Sequence, residues 1–289
     1  MKLEGRTCIV TGASGGFGSH VAAKLWQEGA SLLLTGRRAE ALKEVASSLP
    51  AASCAGQKVV TFPGDLADQS VALKLVARAK EEFADLTILV NNAALQGPIG
   101  PIWENNLQQW EETIRLDLLA PATLCALVLP WMLSKSYGKI INISGGGATA
   151  GRPRFSAYSA AKAGLVRLTE TLAQEVGSAG VDVNAIAPGV MPTKMATQVL
   201  EAGPGRAGSS EYEKIEEQIK TGDTAFHKAA DLAAFLASSE SDGITGRLIS
   251  AVWDRWQDLP QHKAELQKSD IYTLRRIVPD DRGLDWNDR

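Results

Sequence analysis

A chain of 289 residues, 45% hydrophobic and 22% charged, carries the apolar material of one large α/β domain, which excludes a disordered chain and a small stapled one. Thirty Lys and Arg against 33 Asp and Glu leave a net charge of −3, so no basic field draws it to nucleic acid. Cys8, Cys54 and Cys125 are scattered and odd in number, which argues against a disulfide framework or a CxxC metal site. The opening MKLEGRTCIVTG has no continuous apolar leader and no apolar run reads as long enough to span a bilayer, so a cytoplasmic protein without a membrane partner is expected.

Thr7–Thr11 reads as a short apolar strand, and Gly18–Glu28 as a helix in which Val21, Ala22, Leu25 and Trp26 recur at helical spacing. Ser31–Thr35 is a second strand and Glu40–Leu49 a second helix. Val59–Phe62, Val71–Phe83 and Thr87–Asn91 repeat strand, helix, strand. Asn106–Ser134 reads as one long helix that Pro121 should kink. Lys139–Ser144 is a strand, Ala157–Val176 a helix and Val181–Ile186 a strand. Over about 192–228 the pattern loosens into a mobile loop around GPGRAGSSEYEK and a charged helical piece. Asp231–Ser239 then reads as a helix and Arg247–Val252 as a last strand. Continuous apolar strands alternating with helices specify an α/β fold, a single Rossmann-type doubly wound parallel sheet with helices on both faces. No repeat or flexible linker divides the chain, so one domain is expected over 1–253, with 254–289 a polar tail and not a separate domain.

The 27 glycines gather at 12–18, 145–151 and 203–208. The first cluster, Gly12-Ala13-Ser14-Gly15-Gly16-Phe17-Gly18, follows a strand and opens a helix. Missing β-carbons let backbone N–H groups approach a phosphate there, and the helix N-terminus adds a favourable dipole. The spacing is TGxxxGxG. With Asp65-Leu66, Asn91-Asn92-Ala93, Tyr158…Lys162 and Pro188-Gly189 followed by Thr193, the sequence resembles the short-chain dehydrogenase/reductase family over roughly residues 5–250. The resemblance implies a sheet order of 3-2-1-4-5-6-7 and a nicotinamide dinucleotide across the carboxyl ends of the strands.

The same resemblance implies that Gly12, Ser14, Gly16, Phe17 and Gly18 border the pyrophosphate, that Asp65 beside Leu66 accepts from the adenine amino group, and that Asn91 and Ala93 sit beside the adenine ribose. It places Lys162 on the nicotinamide ribose, Pro188, Gly189 and Val190 along the nicotinamide, and Thr193 near its carboxamide. For Asp65 the alternative is a turn or helix-capping carboxylate. An NAD enzyme carries an acidic residue about 20 residues beyond the glycine turn. Gly36 stands in that slot here, and Arg37 and Arg38 follow it. Guanidinium groups suit a 2′-phosphate, so NADP is favoured, with NAD still possible.

Tyr158 and Lys162 are four residues apart on a helix and share a face. An ammonium beside a phenol should lower its pKa, so the pair can pass a proton to or from a carbonyl or alcohol oxygen while hydride moves at the adjacent carbon. The family's serine, thirteen residues before the tyrosine, is here Gly145. Ser144 is the first replacement, with Thr149, Ser156 or the bare N–H groups of the glycine run as alternatives. The family's helix asparagine is here Asp117. The expected function is therefore an NADP-dependent oxidoreductase acting on a small carbonyl or alcohol substrate. The alternative is an NADP-binding sensor or scaffold with little turnover. Gln96, Trp103, Arg152, Arg154 and Phe155 are placed to reach the substrate, the two arginines suggesting an anionic group or plain solvated side chains. The tail is expected on a neighbouring subunit or across the cleft. A homodimer or homotetramer built on Asn106–Ser134 and Ala157–Val176 is implied by resemblance.

Overall fold

The apolar run Thr7–Thr11 (β1) is buried throughout and lies inside a seven-stranded sheet in the computed structural model, which describes residues 1–221 and 224–286. Two residues of the 192–228 segment and the last three of the tail thus fall outside the described residues. Ser31–Gly36 (β2) and Val59–Pro63 (β3) extend the sheet on one side. Ile88–Asn91 (β4), Gly138–Ile143 (β5), Val181–Ala187 (β6) and Leu248–Ser250 (β7) extend it on the other. Every pairing is parallel and the order is 3-2-1-4-5-6-7, as expected.

Alternation along the strands feeds two cores. Cys8 and Val10 point to one face, with Val21 and Leu25 of Gly16–Gln27 (α1), Leu42 of Ala39–Ser48 (α2) and Phe235 of Thr224–Ala237 (α9). Ile9 points to the other, with Leu75 of Gln69–Glu82 (α3), Leu124 of Ala120–Ser134 (α5) and Val176 of Ser156–Val176 (α6). Asp68 caps α3 by accepting from Ser70 N at 2.9 Å, and Asn106 caps Leu107–Ile114 (α4) by accepting from Gln108 N and Gln109 N.

The long helix is irregular next to Pro121. Residues Arg115–Leu119 form a π-helical turn between α4 and α5, in which Ala120 N bonds to Arg115 O. Proline lacks the N–H that an α-helix would offer to the carbonyl of Asp117, and widening the turn one residue upstream accommodates this. The expectation that no apolar run is long enough for a bilayer fails. Leu107–Ser134 is 28 residues with a stretch of mean hydropathy 1.8, half of it buried inside the fold as in a core helix.

The segment around GPGRAG is not a loop. Lys194–Ala207 (α7) and Ser209–Thr221 (α8) are helices, with Gly203 (φ 71°) kinking the first and Gly208 (φ 89°) separating the two. Val199, Ala207 and Ile215 bury against Phe155 in a small core of their own, which orders the pair. The tail folds back on its own domain instead of crossing the cleft. Leu248 N donates to Tyr272 O, and Arg247 donates to the carbonyls of Ser269 (3.1 Å), Ile271 (2.6 Å) and Leu266. On α6, Arg167 donates to Leu274 O and Glu170 accepts from Leu274 N.

Because Arg247 satisfies three carbonyls from a largely buried position, Arg247→Leu is expected to lower stability by about 2–4 kcal/mol in a urea titration. Limited proteolysis of that variant should cut first within 255–275.

Candidate active site

The carboxyl ends of β1, β4, β5 and β6 meet on one edge, and the strand order reverses between β1 and β4, where an open α/β sheet leaves a crevice. Thr11, at the end of β1, ties this edge together. Its hydroxyl accepts from Asn92 N at 2.8 Å and Ala93 N at 2.9 Å, while Asn92 Nδ2 donates to Thr11 O. Gly12 must be glycine: its φ is 65°, and a β-carbon would lie 2.8 Å from Ala93 Cα. At Gly18 a β-carbon would lie 2.3 Å from Gly12 O. Gly15 and Gly16 are roomier, but φ values of 146° and 57° keep them glycine as well. No side chain caps α1, so its first-turn N–H groups are offered to an anion.

Beyond β2, Arg38 donates to Ser14 O at 2.9 Å, which sets its guanidinium against the glycine turn, and Arg37 is exposed beside it. A β-carbon at Gly36 would stand 3.0 Å from Ser14 Oγ, so the usual acidic residue would crowd that serine. Asp65 is exposed and accepts from Ala67 N at 3.0 Å, as a turn carboxylate does, beside the buried Leu66. Asn91 is not at the cleft surface by its side chain. That amide is buried, donating to Asn142 Oδ1 at 2.8 Å and lying near Cys125, so only its main chain sits at the strand end.

The chemistry converges on α6. Lys162 is 2% exposed; its Nζ donates to Ile143 O at 3.0 Å and lies 3.5 Å from Asp117 Oδ2. Asp117, fully buried on the π-helical turn, also accepts from Leu95 N at 2.8 Å. Burial raises the Asp117 carboxyl to about 6, against the pull of Lys162 and the Leu95 N–H. Tyr158 lies on the same face of α6, its ring 5.5 Å from Lys162 Nζ. Burial pushes its phenol well above the ordinary value, the Asp117 carboxylate adds to that, and Arg152 opposes both. The expected lowering by the lysine is therefore overridden. Its charge is answered at close range by Asp117, and little water remains to solvate a phenolate.

Gly145 explains the missing serine. A β-carbon there would lie 2.2 Å from the Tyr158 hydroxyl and 3.0 Å from Cζ, so the phenol occupies the room that a serine side chain needs. Ser144 is buried with its N–H bonded to Ile186 O, and its Oγ has no hydrogen-bond partner among the described residues. Thr149 is exposed and off the cleft, and Ser156 accepts from Trp110 Nε1 at 3.2 Å.

A cleft of about 360 Å³ brings together Phe17, Ser144, Tyr158, Lys162, Pro188, Gly189, Val190 and Thr193. Gly12, Ser14, Gly16, Gly18, Arg37, Arg38, Asp65 and Leu66 stand apart from it, at the ends of β1 to β3. Thr193 faces the glycine turn, its Cγ2 3.7 Å from the β-carbon position of Gly16. Met195, Glu211, Lys214 and Ile215 also line the cleft; the sequence reading named none of them singly and took the stretch holding Glu211 and Lys214 for a loop. The spacing of Glu211, Ile215 and Ile219 is the helical signal that was there to be found. Neither arginine is plainly solvated. Arg152 is paired with Glu211, and Arg154 donates to Gly205 O and Arg206 O on α7.

A family model described as short chain dehydrogenase matches residues 6–203. An uncharacterized oxidoreductase, YxjF of Bacillus subtilis (strain 168), is 31% identical over 253 residues, covering 86% of this chain and 96% of that protein. A D-beta-hydroxybutyrate dehydrogenase of Rhizobium meliloti (strain 1021) is 30% identical over 251 residues, covering 85% and 96%. Among solved structures, an NAD+-bound xylitol dehydrogenase superposes with a TM-score of 0.76 at 25% identity, covering 86% and 98%. A Beutenbergia cavernae protein solved with NADP at low occupancy gives 0.74 at 31% identity, covering 86% and 96%.

Restoring the serine is expected to do harm. Gly145→Ser should cost about 1–3 kcal/mol in a denaturant titration through overpacking. Adding Tyr158→Phe, which deletes the clashing hydroxyl, should recover at least half of the loss. An additive double variant would contradict the contact.

Proposed function

The chain belongs to the short-chain dehydrogenase family, and from that premise we propose that it moves a hydride between NADP and a carbonyl or secondary alcohol. The carrying observation is the buried Tyr158–Lys162 pair, with Lys162 held by Ile143 O and Asp117 at the wall of the cleft. The residues fit the dinucleotide. The Gly12–Gly18 turn offers N–H groups to the pyrophosphate, Arg37 and Arg38 stand where a 2′-phosphate would be neutralised, and the crowding at Gly36 disfavours the acidic residue that reads a free 2′-hydroxyl. Asp65 and the Asn91–Ala93 main chain are assigned to the adenosine half. Lys162, Pro188, Gly189, Val190 and Thr193 are assigned to the nicotinamide half, with Asp117 and Ser144 beside them as supporting residues.

The nicotinamide, when bound, supplies or accepts the hydride. Tyr158 supplies the proton to the carbonyl oxygen or removes it from the alcohol. A phenol held protonated by burial and by Asp117 is in the form that donates a proton to a carbonyl oxygen. Ser144 Oγ, on the cleft wall without a partner, is the hydroxyl assigned to polarise the carbonyl, assisted by the glycine N–H groups that follow. A second reading, an NADP-binding sensor with little turnover, draws on Gly145 and Asp117. A homo-oligomer built on the long helices is proposed too, as the family resemblance implies.

A screen of carbonyls and alcohols with NADPH, NADH and their oxidised forms tests the proposal. Turnover with an NADPH preference that falls in Arg38→Ala is the expected result, whereas tight NADPH binding without turnover supports the sensor. Tyr158→Phe is expected to reduce kcat by about 10²–10⁴-fold. Asp117→Asn should move the pH profile of alcohol oxidation to lower pH by removing the charge that holds the phenol up. A carboxyl raised to about 6 in the fold binds its proton more tightly there than when unfolded, so wild-type stability falls as pH rises from about 4 to about 6. Relative to wild type, Asp117→Asn should gain about 2–3 kcal/mol between pH 4 and pH 7, read from denaturant titrations at each pH.

A further inference from the structure

Arg152 is an oriented cation on the cleft wall. Its Nε and Nη2 both donate to one oxygen, Glu211 Oε1, at 3.0 and 2.5 Å, and its flat face lies 3.9 Å from the centroid of the Phe155 ring. Glu211 and Phe155 thereby fix the side chain by one edge and one face. The other edge, Nη1 with the second N–H of Nη2, makes no bond among the described residues. The guanidinium carbon lies 5.7 Å from the centroid of the Tyr158 ring, a few bonds from the proposed proton donor.

A second observation points the same way. Gln96 is 5% exposed and lines the same cleft, and its Nε2 has no hydrogen-bond partner among the described residues. A buried amide donor without an acceptor is costly, so it marks a place where a ligand oxygen belongs. The charges agree. Arg152, Lys162 and Lys214 line the cleft against Glu211, with Asp117 behind Lys162, which leaves one positive charge in excess. Met191, Met195, Val199 and Ile215 make the remaining wall apolar.

We propose that the substrate is a short oxo or hydroxy acid whose carboxylate is held by Arg152 and Gln96 while its carbonyl or alcohol faces Tyr158. The planar fork of Arg152 matches a carboxylate, and Gln96 adds a third donor. Glu211 is a positioning residue that keeps the fork aimed. This rests on the redox function proposed above. The carbonyl carbon gains a hydride and its oxygen gains a proton from Tyr158, so the oxo acid is reduced to the hydroxy acid as NADPH becomes NADP+.

The test separates binding from turnover. Calorimetric titrations of 2-oxobutyrate and 3-oxobutanoate, each beside its amide, are run on the protein alone and with NADP+, where no reduction can occur. Binding of at least one acid about tenfold tighter than its amide is expected, the scale of a charge-assisted pair. In Arg152→Gln that preference should fall below about threefold, with Arg152→Lys intermediate because it keeps the charge and loses the fork. Gln96→Leu should weaken acid binding without reversing the preference. Equal affinity for acid and amide, no binding of either acid in both states, or a preference that survives Arg152→Gln overturns the proposal. Acid binding that depends on Arg152 with no turnover leaves the carboxylate site standing and overturns the redox function instead.

Discussion

A buried ammonium has to be answered by protein groups, because water cannot reach it and the charge is costly to leave alone. Lys162 sits under that constraint, and much of the candidate site follows from how it is met. One acceptor, Ile143 O, comes from the end of β5, so the helix that carries Lys162 is pulled against that strand. The other, Asp117, comes from a turn that is π-helical just upstream of Pro121. Drawing α6 to the strand brings Tyr158 along, and its hydroxyl comes to rest where a side chain at position 145 would be.

An aspartate in place of the family's asparagine also changes the electrostatics of the pair. An amide would leave the ammonium's full charge to act on the phenol. A carboxylate 3.5 Å from Nζ answers that charge and itself raises the phenol, so the field at Tyr158 is set by burial first and Asp117 next, with Arg152 opposing both. Arg152 in turn is oriented by Glu211 on α8. The acidity of the tyrosine is therefore coupled to a helix whose contribution lies outside the TGxxxGxG, NNA and YxxxK motifs.

The sheet was readable in the sequence because its strands are continuous apolar runs between turn residues, and burial on both faces leaves such runs few other arrangements. The glycine turn after β1 was readable because Gly12 and Gly18 are demanded by backbone contacts that no other residue satisfies. What could not be read depended on partners far away in the chain. Gly203, Pro204 and Gly208 look like a loop until Phe155 supplies the small core that orders α7 and α8. Asn91 matched a motif, yet its amide serves Asn142, fifty-one residues on, because both lie at the buried ends of adjacent strands. The elevated phenol of Tyr158 was likewise hidden, since spacing reports that lysine and tyrosine are neighbours but not that an aspartate stands behind them.

The tail's route over β7 has a consequence for how copies of the chain can meet. An edge strand normally offers a row of unpaired N–H and C=O groups to any strand that passes. Here Leu248 N is already taken by Tyr272 O, and Arg247 holds three further tail carbonyls just beside it. This rim of the sheet is sealed by the chain's own backbone, which guards against runaway strand-to-strand association.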